Sequence, residues 1–513
     1  MVLVVGMKIL EKIKNFDLEI CWKNFCKIIK KEDLMILFTV YLFGFINYFY
    51  FLVNTVLSPD GLTYGPIYKS GGWEIDLGRP LLLVVDRLRG GLVSSSIIVF
   101  FALLYLSISV MIIRRTFPIK KKFSLFLISV LIALFPTFSE SSLFIYCFDS
   151  YCFAFFSSIL GVYFIRNKKY IFSVLSIIVS LSLYQAYISV TITGVLLLFI
   201  FDILDDKQSI KDFIIQMFIV FIGILCYFII LKLGMFVLGR SLADYKGASS
   251  FGINTILSIP NSIFNAYSDF YSYFFLEKII FNQYYLRNII NLILFVLMLI
   301  ILCFKFRNLN FYQMALLILS LCMLPITINI MNLIACDTRI NLVTAIGFCM
   351  FYLLFVILIE KYSIIPIIKS ISIVVILVLC YTYLLSNNGT FQSRVDTYNH
   401  YYAQSSYILN QVKSLKDYDS NLPWMFNNTI YYQSPIVTAS NGYLARDLET
   451  FYDYLGVIEN EDFYRRFLGE KISVVSYERY SEIVRNDEYK TMKKGDIKII
   501  DDVIVIKVSD IDI

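Results

Sequence analysis

Charge is what this sequence has least of. Only 16% of its 513 residues are Asp, Glu, Lys or Arg, against about 25% in soluble domains. With 58% hydrophobic residues and a mean hydropathy of +0.71, the chain reads as a polytopic membrane protein. It has a single histidine, His400, which speaks against a histidine-based metal site or a Ser/His/Asp triad. No basic tract is interleaved with polar surface, so nucleic acid is not an expected partner. The ten cysteines stop at Cys380. Cys147 and Cys152, in YCFDSYC, lack the CxxC spacing of a redox or zinc site and read as small apolar membrane residues. Neither an internal repeat nor a low-complexity linker is visible. The start, MVLVVGMKILEKIKNF, puts its apolar run before its lysines, the reverse of a secretory signal. Residues 1–33 therefore read as an amphipathic cytoplasmic tail.

Long apolar runs are plentiful. About 20 apolar residues cross a bilayer core, and such runs cover 34–57, 92–113, 123–138, 144–165, 212–233, 286–304, 309–330, 340–359 and 363–385. The unbroken stretch 170–204 is too long for one helix. Its centre, SLSLYQAYISV, would leave Tyr184 and Gln185 deep in lipid, so two short helices meeting near Tyr184 are expected, making eleven spans. Lys and Arg gather in the tail and in the turns RRTFPIKKK, RNKK and KFR. By the positive-inside rule this puts the N-terminus in the cytoplasm. The segments 58–91, 234–285, NLIACDTR and 386–513 then face outward. PLLLVVDRLRG (80–90) suits a short interfacial helix with Asp86, Arg87 and Arg89 on its polar side, and 234–285 suggests further interfacial helices. After residue 385 the chain turns polar, and runs such as KISVVSY and DIKIIDDVIVIKV alternate like strands of a small α/β domain.

One outward loop departs from a plain connector. Residues 58–79, SPDGLTYGPIYKSGGWEIDLGR, hold Asp60, Glu74, Asp76, Arg79 and Trp73 among five glycines. A partly desolvated carboxylate there has its pKa raised toward the range of a general base. Glycine lets backbone approach a ligand, and Trp73 offers a face that stacks on a sugar ring. Tryptophan and charges are also ordinary at a lipid interface. Arg339 in CDTRI, Arg287 and Lys278 stand at outer span ends, where a cation can hold a lipid phosphate or anchor a helix. Glu140 and Asp149 face the same side. Tyr184 and Gln185 would hydrogen-bond freed backbone at the helix break or line a cavity.

The order of an acidic loop with PDG, a W…GR pair, an FDSY opening of a later span, SLSLYQAYISV and a late outward TR resembles the bacterial GtrII-type glucosyltransferases. These are membrane glycosyltransferases of the GT-C class, and the resemblance covers roughly residues 35–360. It implies a GT-C-like transmembrane domain over 34–385, followed by the extracytoplasmic α/β domain 386–513, in the bacterial cytoplasmic membrane. It also implies transfer of a hexose, typically glucose, from a polyprenyl-phosphate carrier to a surface glycan such as O-antigen. By the same resemblance Asp60 matches the catalytic base and Arg79 the GR arginine. Family members often carry two adjacent acids where this chain has Asp60-Gly61, so Glu74 and Asp76 stay alternatives for the base. Trp73, Glu74, Asp76, Arg79, Tyr184, Gln185 and Arg339 would bind substrate. No cofactor is demanded, and a divalent ion would find only carboxylates. A lipid-linked glycan flippase, or an enzyme like an O-antigen polymerase, would share the many spans. The first would show midplane polar residues and two related halves, and the second a large late loop with arginines.

Overall fold

The computed structural model describes residues 30–54, 61, 66–243, 253–275, 286–334, 342–363, 365–428 and 457–509. The apolar runs fold as helices because a backbone in lipid must satisfy its own N–H and C=O groups. In chain order these are α1 (Lys31–Val53), α2 (Gly72–Asp76), α3 (Leu82–Leu88), α4 (Ser95–Thr116), α5 (Lys122–Ala133), α6 (Pro136–Ser141), α7 (Phe148–Arg166) and α8 (Tyr170–Leu183). Then follow α9 (Ile188–Leu204), α10 (Ile210–Leu238), α11 (Ile253–Phe275), α12 (Leu286–Phe306), α13 (Phe311–Ile328), α14 (Met331–Ile334), α15 (Phe348–Tyr362) and α16 (Pro366–Lys413).

Ten helical stretches among the described residues are long and apolar enough to cross a membrane, so the chain is a multi-pass helical membrane protein. The eleventh expected span is α8. At 14 residues it rises about 21 Å, short of the roughly 30 Å core. The expected break is present: Tyr184 is extended (φ −161°, ψ 117°), and a 3₁₀ turn, Gln185–Tyr187, leads into α9. Small residues bring α7 and α8 close, as is common between membrane helices. Ser180 Oγ donates to the Ala154 carbonyl at 3.0 Å, and Ser173 Oγ to that of Gly161 at 3.1 Å. Ser158 Oγ holds the carbonyl of Tyr187, just past the break, at 3.0 Å.

The Lys- and Arg-rich turns meet at one end of the bundle. Asp33 pairs with Arg114 at 3.1 Å and Arg115 at 3.0 Å. Glu360 accepts from the backbone N–H groups of Lys120 and Lys121 at 2.7 and 2.8 Å, and Arg166 pairs with Asp202 at 2.6 Å. Asp205 holds both Lys361 and Tyr362. The first loop lies at the other end.

Two features depart from the expected layout. α3 exists with Arg87 exposed, but the other two charges turn inward: Asp86 is buried, and Arg89 forms a buried ion pair with Asp149 at 3.2 Å. α16 runs unbroken through residues 385 and 386, where composition changes from apolar to polar. Beyond it, β1 (Trp424–Phe426), β2 (Ile497–Ile500) and β3 (Val503–Ile506) form a sheet in the order β1-β3-β2. β1 pairs parallel to β3 (Trp424 opposite Ile504), and β2 antiparallel (Ile497 opposite Ile506). Asp501 and Asp502, both at positive φ, make the tight hairpin turn. KISVVSY contributes only the isolated bridge of Val474 to Trp424. Among the described residues this part also holds α17 (Val457–Phe463), α18 (Tyr477–Arg485) and α19 (Asp487–Thr491). Trp424, Tyr464 and Ile504 pack on Tyr401 and Val412 of α16 in a second core.

Candidate active site

The first loop closes on itself before it meets the bundle. Tyr68 N–H donates to the Gly91 carbonyl at 2.8 Å and Val93 N–H to that of Pro66 at 2.9 Å. Within this clasp two carboxylates act as braces. Asp86 accepts from the N–H and hydroxyl of Ser70 at 2.5 and 2.7 Å. Glu74, 6% exposed, caps its own helix α2 by accepting from Gly71 N–H at 2.6 Å, and it also accepts from the Tyr68 hydroxyl. Both Glu74 oxygens are thereby engaged with the loop itself. Asp76 points the other way and takes a two-pronged bond from Arg240, past the end of α10, at 2.8 and 2.7 Å. The hydrogen bonds from that guanidinium hold the Asp76 carboxyl below its ordinary pKa. Trp73 is half-exposed beside them.

The turn 77–81 is seated on the break between α8 and α9. Gln185 Nε2 donates to the carbonyls of Leu77 and Gly78 at 2.8 and 3.0 Å. Tyr227 of α10 donates its hydroxyl to the same Gly78 carbonyl at 2.6 Å, and Leu81 N–H reaches the Ser182 carbonyl at 3.1 Å. Gly78 adopts φ +76°, and a Cβ there would lie 2.6 Å from Gln185 Nε2 and 2.7 Å from Tyr227 Oη. This sharp turn aims Arg79 at the bundle. Its guanidinium carbon stands 4.5 Å from the ring centre of Tyr184, and Nη1 donates to Tyr151 Oη at 3.3 Å. Tyr151 and Tyr184 themselves stack at 4.4 Å. The result is a cation over one ring of an aromatic pair and hydrogen-bonded to the hydroxyl of the other, at the membrane end.

Of the residues singled out in the sequence, Glu74, Arg79, Tyr184 and Gln185 therefore come together, with Glu74 joined to Arg79 through the Arg79 N–H to Glu74 carbonyl bond at 2.7 Å. Asp76 and Trp73 sit at the loop's outer side. Arg287 is buried at the start of α12, near Tyr383, and Glu140 is buried in α6. Asp60, Arg339 and Lys278 lie outside the described residues. Tyr68, Tyr151, Tyr227 and Arg240 were not foreseen. The only local signal for them was a second Gly-Arg pair at Gly239-Arg240 and the tyrosine closing FDSY. Among the described residues no three His, Cys, Asp or Glu side chains gather as a metal ion would need.

The loop, the break and the helices that hold them fall within one family match. The family model for glucosyl transferase GtrII matches residues 49–358. Comparisons with curated proteins and with solved structures give no match. The match spans more than half of the chain, and the protein thus belongs to the GtrII glucosyl transferase family, as a multi-pass membrane glycosyltransferase.

Proposed function

We propose that the protein is a GT-C-type hexosyltransferase that moves glucose from a polyprenyl-phosphate carrier to a surface glycan such as O-antigen. Transfer takes place on the outer face of the bacterial cytoplasmic membrane, with the N-terminus in the cytoplasm and the part after α16 outside. The observation that carries this reading is Arg79 over the Tyr184 ring and hydrogen-bonded to the Tyr151 hydroxyl at the membrane end, inside the family match. A polyprenyl-phosphate sugar is an amphiphile whose phosphate rests at the bilayer surface. A cation held there by a rigid turn suits the negative charge that develops as the phosphate departs.

The step balances simply. An acceptor hydroxyl oxygen bonds to the anomeric carbon of glucose, and the bond from that carbon to the phosphate oxygen breaks. The hydroxyl proton passes to a carboxylate, and polyprenyl phosphate leaves with the electron pair. Asp60 is the proposed base. Glu74 and Asp76 suit that role less, because each is already engaged, Glu74 within the loop and Asp76 with Arg240. Arg79 is the proposed phosphate partner, with Arg339 and Arg287 as further cations of the same end. Trp73 supplies a half-exposed aromatic face for the sugar.

Mass spectrometry of surface glycan from cells with and without the gene tests this. The expected result is a hexose missing from the repeat unit when the gene is absent, and likewise with Asp60→Asn. Altered chain length with an unchanged repeat would instead indicate a polymerase. Unchanged glycan in Asp60→Asn, with hexose lost in Arg339→Ala, would overturn the base assignment.

A further inference from the structure

The part of the chain beyond α16 has no role in the scheme above, yet it touches the first loop at one informative point. Arg466 lies in a single π-helical turn, Tyr464–Leu468, which ends at Gly469 in the left-handed region. Such turns are rare and often functional. Arg466 Nη1 donates to the carbonyl of Gly61 at 2.9 Å, across 405 positions of sequence. Gly61 directly follows Asp60.

The clamp is built on a stiff support. Tyr48 and Phe51, near the end of α1, pack on Phe391 of α16 with ring centres 5.9 and 5.4 Å apart. Two turns further along α16, about 10 Å at 1.5 Å per residue, Tyr398 packs on Phe467 at 5.2 Å. One turn beyond, Tyr401 packs on Phe463 at 4.5 Å. Tyr464 Oη, on the same π turn, donates to the Ser405 carbonyl at 3.3 Å. α16 thus rises from the point where α1 ends and holds the π turn above the bundle, where Arg466 meets Gly61. The guanidinium is half-buried, and its carbon lies 5.2 Å from the centre of the Phe467 ring. Burial holds its pKa below the ordinary arginine value. Its neighbour Arg465 takes the Asp462 carboxylate. A charged donor on a backbone carbonyl is a strong, directional tie, and here it holds the carbonyl end of Gly61, the residue that follows Asp60 in the sequence.

We propose that Arg466 is a positioning residue for transfer: by clamping the Gly61 carbonyl it anchors the chain one residue beyond Asp60, so the part after α16 completes the site. The inference rests on the reading of Asp60 as base. The test uses full-chain protein in native membranes, with labelled undecaprenyl-phosphate glucose as donor and the membrane's own glycan as acceptor. Arg466→Ala is expected to lower kcat roughly tenfold to a hundredfold, the usual cost of a misplaced catalytic group, with donor KM nearly unchanged. Arg466→Lys, which keeps a cationic donor, recovers most of the rate, and Arg465→Ala leaves it unaltered. Independently of activity, hydrogen exchange in the peptide containing Gly61 speeds up in Arg466→Ala and not in Arg465→Ala. Unchanged exchange, unchanged kcat, or a loss carried by KM overturns the proposal. If Arg466→Ala fails to fold, failure of Arg466→Lys to keep both rate and protection overturns it. Full activity in Asp60→Asn, with faster exchange in Arg466→Ala, would sink the base assignment and leave the clamp standing.

Discussion

Gly78 shows how one residue can join a loop to a membrane bundle. Its carbonyl takes hydrogen bonds from Gln185 and Tyr227, and its φ of +76° lies where other L residues are strained. A side chain at this position would meet both donors at less than 3 Å. Gly90 offers an internal comparison, since its φ of +64° is similar and a Cβ there meets nothing within 4 Å. Gly90→Ala then carries only the backbone cost, about 1 kcal/mol. Gly78→Ala carries that cost and also displaces two hydrogen bonds worth about 1 kcal/mol each. Glucose transfer in membranes containing equal amounts of each protein is expected to fall severalfold in Gly90→Ala and more than tenfold in Gly78→Ala. Equal losses would show that the contact with the helix break adds nothing to backbone strain.

At the scale of elements, the loop's fastenings include the clasp of 66–68 with 91–93, the seat on the 184–187 break, and the bond from α2 to Arg240. The last one titrates. Because the Asp76 pKa is depressed in the folded protein, its contribution is fully present above the ordinary aspartate value near 3.9. It is lost as pH falls through the lower folded value. Hydrogen exchange in the peptide spanning 72–76 is therefore expected to hold steady from neutral pH down to about 4, once corrected for intrinsic rates, and to accelerate below that. Asp76→Asn should exchange faster already at neutral pH and lose the acid step; an unchanged acid step would show that Asp76 is not its source. The break at Tyr184 was legible in the sequence because an apolar run too long for one helix carried a Tyr-Gln pair at its centre. The loop was legible because its charges stand out against lipid-compatible neighbours. The direction of those charges was not. Pattern assigns Asp86 and Arg89 to water, whereas their partners, Ser70 and Asp149, come from other segments that pattern does not connect. Arg240 lies 164 positions from Asp76, and Arg466 lies 405 from Gly61. No local periodicity reports such pairings, and the unbroken course of α16 is hidden by the change in composition at its middle.

For the whole molecule, the decisive property is which end of the bundle faces outward. The Lys- and Arg-rich turns between the described spans converge on one end, where Asp33, Glu360, Asp202 and Asp205 receive their cations or backbone donors. The candidate site and the sheet-bearing part share the opposite end, joined through Arg466 and Gly61. The proposed use of a polyprenyl-phosphate sugar on the outer face needs the second end outside, the orientation that the positive-inside rule leads one to expect. The lysines allow a direct reading. Lys168, between α7 and α8, is 67% exposed at the first end, and Lys490 in α19 is 59% exposed at the second. A membrane-impermeant amine reagent added to intact spheroplasts is expected to modify Lys490 and to spare Lys168, while opened membranes give both. The reverse pattern would put the first loop in the cytoplasm. A nucleotide-linked donor would then be within reach, and the outer-face reaction would be excluded together with the part assigned to Asp60 in it.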